Sequence, residues 1–96
     1  MKTLVISPRA SADIDEIYDY TEGRWGQDQA EDYTFGIRSV LEEVCRGTRS
    51  GKSINEIREG ACSLSYRSHY LIYRERSRSV VLIRILHRRM QVARHL

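Results

Sequence analysis

Apolar side chains recur at helical spacing in the first half of the chain and alternate in the second. From about residue 8 to 23, Ala10, Ile14, Ile17, Tyr18 and Thr21 follow the i, i+3, i+4, i+7 template of an amphipathic helix. Asp13, Asp15, Glu16 and Asp19 are expected to cover the rest of its surface. Ser7-Pro8 reads as the helix start: serine caps, and proline's missing N–H has no intrahelical partner to lose there. Gly23-Arg24-Trp25-Gly26 breaks the pattern, and Trp25 is expected to anchor the loop from beneath. A second helix, from about 28 to 46, carries the inner stripe Ala30, Tyr33, Ile37, Leu41 and Val44. Asp28 with Glu31 suggests a capping box at its start, and Gly47 closes it. The two helices are predicted to form an antiparallel hairpin.

After residue 60 the period falls to two. Residues 61–67, 69–75 and 79–87 read as strands, joined at Arg67-Ser68 and at Arg76-Ser77-Arg78. Links this short imply an antiparallel meander. Thr3-Leu4-Val5-Ile6 looks like a short buried strand, residues 47–60 like a polar connector holding a weak strand or turn. Residues 88–96 form a basic tail, extended or ending in a helical turn. The order is β-α-α-β-β-β, an α+β fold with a helical hairpin on one face of a small antiparallel sheet. The 96 residues are expected to form a single domain, 1–96.

Charge adds an asymmetry that the net value of +3 hides. Residues 1–44 carry 4 basic and 10 acidic side chains; residues 45–96 carry 12 basic and 3 acidic. Of those 12 cations only Lys52 is a lysine. Arginine's planar fork suits bidentate contact with carboxylate or phosphate, so the C-terminal half is expected to meet acidic partners. The bland reading is a solvated basic face. No apolar run approaches the ~20 residues of a membrane span, and Pro8 interrupts the apolar start, so a cytoplasmic protein is expected. Cys45 and Cys62 lie in periodic apolar segments and read as buried thiols. His69, His87 and His95 have no ligand-like spacing with them, so neither metal nor cofactor is expected.

Four stretches together resemble the ParE family of the RelE/ParE toxin superfamily. They are Ser7-Pro8-Arg9-Ala10 with Asp13-Ile14, Glu16-Ile17 and Tyr20; Trp25-Gly26 with Ala30 and Tyr33; Tyr70–Arg74 leading into Ile83–Met90; and Ala93-Arg94-His95-Leu96. The likeness covers nearly the whole chain, and Leu86-His87-Arg88-Arg89-Met90 is its most specific element. The resemblance implies a toxin neutralised by a small ParD-like, DNA-binding antitoxin whose C-terminal segment wraps it. It also implies DNA gyrase as target, poisoned without hydrolysis, with DNA met only through antitoxin or gyrase.

On that reading the target is expected at Arg84, His87, Arg88, Arg89, Met90 and Arg94. The antitoxin is expected at Ile14, Tyr18, Tyr33, Ile37, Arg58 and Arg74: an apolar segment beside the hairpin and sheet edge, with carboxylates on the arginines. A RelE-type, ribosome-dependent mRNA endonuclease is the alternative. It would need cations at the scissile phosphate and a proton-transfer group, here Arg84, Arg88 and His87. RelE-like toxins resemble one another in using lysines and arginines on the sheet and a tyrosine or histidine near the C-terminus, and this chain departs from that pattern, since its last tyrosine is Tyr73 in mid-strand and lysine is nearly absent from the sheet half. Without catalysis or toxicity, the chain would be a binding module in a repressor complex. His87 also reads plainly as a strand-end histidine with a local hydrogen bond.

Overall fold

A computed structural model describes all of residues 1–96. The elements are β1 (Thr3–Ile6), α1 (Pro8–Trp25), α2 (Gln27–Arg46), β2 (Lys52–Ser53), β3 (Ala61–Tyr66), β4 (His69–Glu75), β5 (Ser79–His87) and α3 (Val92–His95). The five strands form one sheet in the order β1-β5-β4-β3-β2. The meander β3-β4-β5 is antiparallel as expected, and β2 extends it inside the polar connector. Strand β1 runs parallel to β5, so the sheet is mixed. As an edge strand β1 is only half covered, alternating exposed and half-buried positions, whereas a buried strand was expected.

Helix α1 starts as its sequence signals. The Ser7 hydroxyl accepts the Ala10 N–H at 3.0 Å and donates to the Ile83 carbonyl at 2.9 Å, tying the helix start to β5. The helix end differs. α1 runs on through Gly23 to Trp25, and Gly26 alone separates it from α2. At φ 93° and ψ 171°, Gly26 occupies backbone space that costs a side-chain-bearing residue dearly. Two expectations fail for this reason. A one-residue link leaves no loop for Trp25 to anchor, and the residue is 61% exposed. Asp28 lies inside the first turn, so it cannot be the cap, and no side chain caps α2. Gly47 closes α2 in the left-handed conformation, as predicted.

The helices cover one face of the sheet. Tyr33, Ile37, Leu41 and Val44 of α2 meet Leu64, Leu71, Tyr73, Val80, Leu82 and Ile85. Residue 36 must be glycine for this packing: a Cβ there would collide with the Tyr66 hydroxyl, which donates to the Tyr33 carbonyl at 3.0 Å. The opposite face has a smaller core of Ile54, Ala61, Ile72 and Leu86. The basic tail folds back over it, bringing Met90, Val92 and Leu96 against the sheet.

An irregularity in β5 decides which side chains face the helices. Ile72 pairs with Arg84 but Tyr73 pairs with Leu82, leaving Ile83 as the extra residue of a bulge. Strict alternation would put Arg84 on the helix side with Val80 and Leu82. The bulge shifts the phase, so Ile85 joins the main core and Leu86 joins the second face. Cys45 is buried and Cys62 half-buried, both as free thiols. No helix is long and apolar enough to cross a membrane.

Candidate functional site

The Arg84–Met90 segment brings the expected target-binding residues to one end of the sheet and then disperses their side chains. Arg84 turns inward. Its Nε donates to Asp13 Oδ2 at 2.9 Å, its Nη2 to Asp13 Oδ1 at 3.3 Å, and its Nη1 to the His95 carbonyl at 3.3 Å. The side chains of Arg84 and Asp13 are 13% and 8% exposed. Asp13, expected on the helix surface, is therefore buried. It occupies the stripe of Ala10, Ile14 and Ile17 because β5 demands a carboxylate there. Where β1 ends beside Leu82, the next ladder position is open, and Asp13 Oδ2 accepts the Ile85 N–H at 3.0 Å. A bidentate, largely desolvated pair of this kind holds α1 on β5 and leaves little of Arg84 for a partner.

His87 lies past that pair and is exposed. Its Nδ1 accepts the Arg89 N–H at 3.1 Å, the local bond of a strand-end histidine. Arg88 reaches back to the Arg67 carbonyl at 3.3 Å and stands 5.7 Å from the Tyr70 ring centre. Arg89 is exposed. Met90 turns to the second face, and its sulfur accepts the His87 N–H at 3.3 Å, so it plugs the fold. Arg94 joins Arg9 and Arg58 around an open basic groove bordered by Arg84.

The expected antitoxin contacts also separate. Ile14 and Ile37 line an apolar groove of about 360 Å³ with Ile6 and Phe35, which is 70% exposed. Tyr18 is half-buried beside this hairpin surface, and Tyr33 is buried. Arg74 is half-buried and donates to the Glu59 carbonyl at 2.7 Å, clasping the connector.

Tyr33 belongs to a second cluster, at the β3–β4 turn. Its hydroxyl lies 2.7 Å from His69 Nδ1 and accepts the Ser68 N–H at 3.2 Å. His69 pairs with His87 across the strands, their rings edge to face at 5.3 Å. Burial, and then the neighbouring His87, hold the His69 imidazole below its ordinary pKa, with Asp13 opposing. Arg67 stands 5.3 Å from the ring centres of both Tyr33 and Tyr66. Neither Arg67 nor His69 was expected in a site. A two-residue turn at Arg67-Ser68 does place Tyr66 opposite His69, but the pairing of His69 with His87 depends on the bulge and is invisible in the sequence.

Residues 4–92, nearly the whole of this arrangement, match the family described as ParE toxin of type II toxin-antitoxin system, parDE. The chain belongs to the ParE toxin family. It is 40% identical over 93 residues to Toxin ParE1 of Mycobacterium tuberculosis, covering 96% of this chain and 95% of the relative. Toxin ParE1 of Caulobacter vibrioides is 36% identical over 96 residues, 100% of this chain and 99% of the relative. Among solved structures, the chromosomal ParDE TA system from P. aeruginosa superposes with a TM-score of 0.75 at 20% identity, over 91% of this chain and 96% of that one. The YoeB-YefM complex from Staphylococcus aureus gives 0.56 at 17% identity, over 91% and 97%. At such identities the two superpositions speak for the fold. As a ParE toxin, the chain is the toxin component of a type II toxin–antitoxin system.

Proposed function

We propose that this ParE toxin arrests growth by binding DNA gyrase in the cytoplasm, without catalysis of its own, and is silenced by a small ParD-like antitoxin. One observation carries the non-catalytic part: the Arg84 guanidinium, which a nuclease would turn to phosphate, is held by Asp13. Tyr73, the last tyrosine, supports the same reading, since it is buried with its hydroxyl accepting the Gly51 N–H at 2.6 Å. What remains outward at the strand end is His87, Arg88 and Arg89, a surface suited to contact.

A gyrase supercoiling assay with purified toxin tests the proposal. Inhibition of supercoiling with trapped cleavage complexes is expected; undiminished supercoiling at high toxin excess overturns it. Codon-phased cuts in translated message, abolished by His87→Ala, would instead establish the nuclease. Induction that leaves growth unaffected would point to a repressor module.

For the antitoxin, the apolar groove of Ile14, Ile37 and Phe35 would take an apolar segment, while Arg58, Arg74 and Arg88 would meet carboxylates. Charge reversal at those three arginines is expected to weaken binding by at least about tenfold, mostly through faster dissociation. Unchanged affinity would remove the electrostatic part of the reading.

A further inference from the structure

A groove of about 640 Å³ lies between the end of α1 and the β3–β4 turn. Its volume is in the range of small-molecule sites. One wall is aromatic and open to solvent. Tyr20 and Trp25 are each 61% exposed and meet edge to face at 6.4 Å. The Arg24 guanidinium stands 5.6 Å from the first ring centre and 5.2 Å from the second.

The floor is set by hydrogen bonds. A neutral imidazole carries one N–H. The Tyr33 hydroxyl accepts the Ser68 N–H at 3.2 Å and lies 2.7 Å from His69 Nδ1. With its Nδ1 accepting from Arg89 N, a neutral His87 carries its one N–H on Nε2. The His69 and His87 rings meet edge to face at 5.3 Å on this floor, with the Arg67 cation at the rim. The carboxylates nearby are Glu16, on the rim, Asp32, which Arg67 meets at a loose 3.4 Å in exposed surroundings, and Asp13, which acts on His69 but is held by Arg84.

Arg67 has a φ of 49°, a conformation that asparagine or glycine would adopt at lower cost. The turn itself does not ask for arginine; the guanidinium is what the residue supplies there. Cations and an imidazole donor beside exposed aromatic rings ask for a ligand with anionic oxygens and a planar ring.

The geometry points to a binding site for a phosphorylated nucleoside unit, its base on Trp25 and Tyr20 and its phosphate toward Arg67 and His87. Stacking on exposed aromatics next to basic side chains is how nucleic-acid bases are held without sequence readout. A free nucleotide and a unit of single-stranded nucleic acid share this chemistry. The site binds without making or breaking a bond, and it stands or falls independently of the gyrase reading.

Trp25 is the only tryptophan, so its fluorescence reports on the wall directly. The purified toxin would be titrated with inorganic phosphate, with AMP, and with a single-stranded oligodeoxynucleotide of about six nucleotides. Saturable quenching by AMP and by the strand is expected, and none by phosphate at the same concentration. Tighter binding of the strand assigns the site to single-stranded nucleic acid; equal or tighter binding of AMP assigns it to a free nucleotide. Arg67→Asn tolerates the turn and removes the cation. It should weaken binding about tenfold while thermal stability is retained. Arg78→Ala, in the link between β4 and β5, should leave binding unchanged. The assignment is overturned if neither AMP nor the strand quenches saturably. It is also overturned if phosphate alone quenches as well as AMP, or if Arg78→Ala weakens binding as much as Arg67→Asn.

Discussion

Asp13 does two jobs at once: it neutralises Arg84 and satisfies the Ile85 N–H. Removing one member of a buried ion pair costs about 3–5 kcal/mol, because the survivor stays buried without a partner. Asp13→Ala should therefore lower the unfolding free energy by about that amount in urea. In a domain this small, that corresponds to a melting temperature at least about 10 °C lower. The double variant Asp13→Leu/Arg84→Met removes both charges and should recover most of the loss, but not all. The orphaned Ile85 N–H leaves a deficit of about 1–3 kcal/mol. Full recovery would mean that this backbone bond contributes nothing. His69 gives a second prediction at this scale. Its folded pKa lies below the ordinary value of about 6.5. The unfolded chain therefore binds the proton more tightly, and stability is fully present above about pH 6.5 and lost as the pH falls below it. Urea midpoints at about pH 7.5 and 5.5 should differ less in His69→Phe than in the parent chain. An equal drop in both would place the acid sensitivity elsewhere.

Helices α1 and α2 each contain a glycine where alanine would be the better helix former, and the two differ in surroundings. A Cβ at Gly23 meets nothing within 4 Å. Gly23→Ala should stabilise the toxin by about 0.5–1 kcal/mol. A Cβ at Gly36 collides with the Tyr66 hydroxyl. Gly36→Ala should destabilise by about 1–3 kcal/mol as Tyr66 is displaced from the Tyr33 carbonyl. Thermal melts of the two variants should move in opposite directions; the same sign in both would show that Tyr66 yields without cost. At this scale the stripe of α2 was fully legible, since Ala30, Tyr33, Ile37, Leu41 and Val44 are all buried. The α1–α2 junction was not. Two glycines three residues apart offered two breaks, and the chain uses only Gly26, because Gly23 continues the helix without strain.

The whole molecule has a second, thinner core that depends on the tail. Met90, Val92 and Leu96 cover Ile72 and Leu86. Truncation after Gln91 should strip Val92 and Leu96 from this face and cost about 1–3 kcal/mol of burial. A urea midpoint unchanged by truncation would show the tail to be merely draped on the sheet. The sequence by itself determined the helical hairpin, the three meander strands and the acidic–basic division of the chain. Each is written in local periodicity and short links, which neighbouring residues alone decide. It also carried the family, through residues spread over nearly the full length. Only the tertiary structure decided what the signature segment does. Arg84, His87 and Met90 are near neighbours along the chain, yet they end in an ion pair, a solvent-facing groove and the second core. The cause is one extra residue in β5. A bulge changes which face every later side chain takes, and its position follows from pairing with β4, docking of α1 and return of the tail, none of which a local pattern contains.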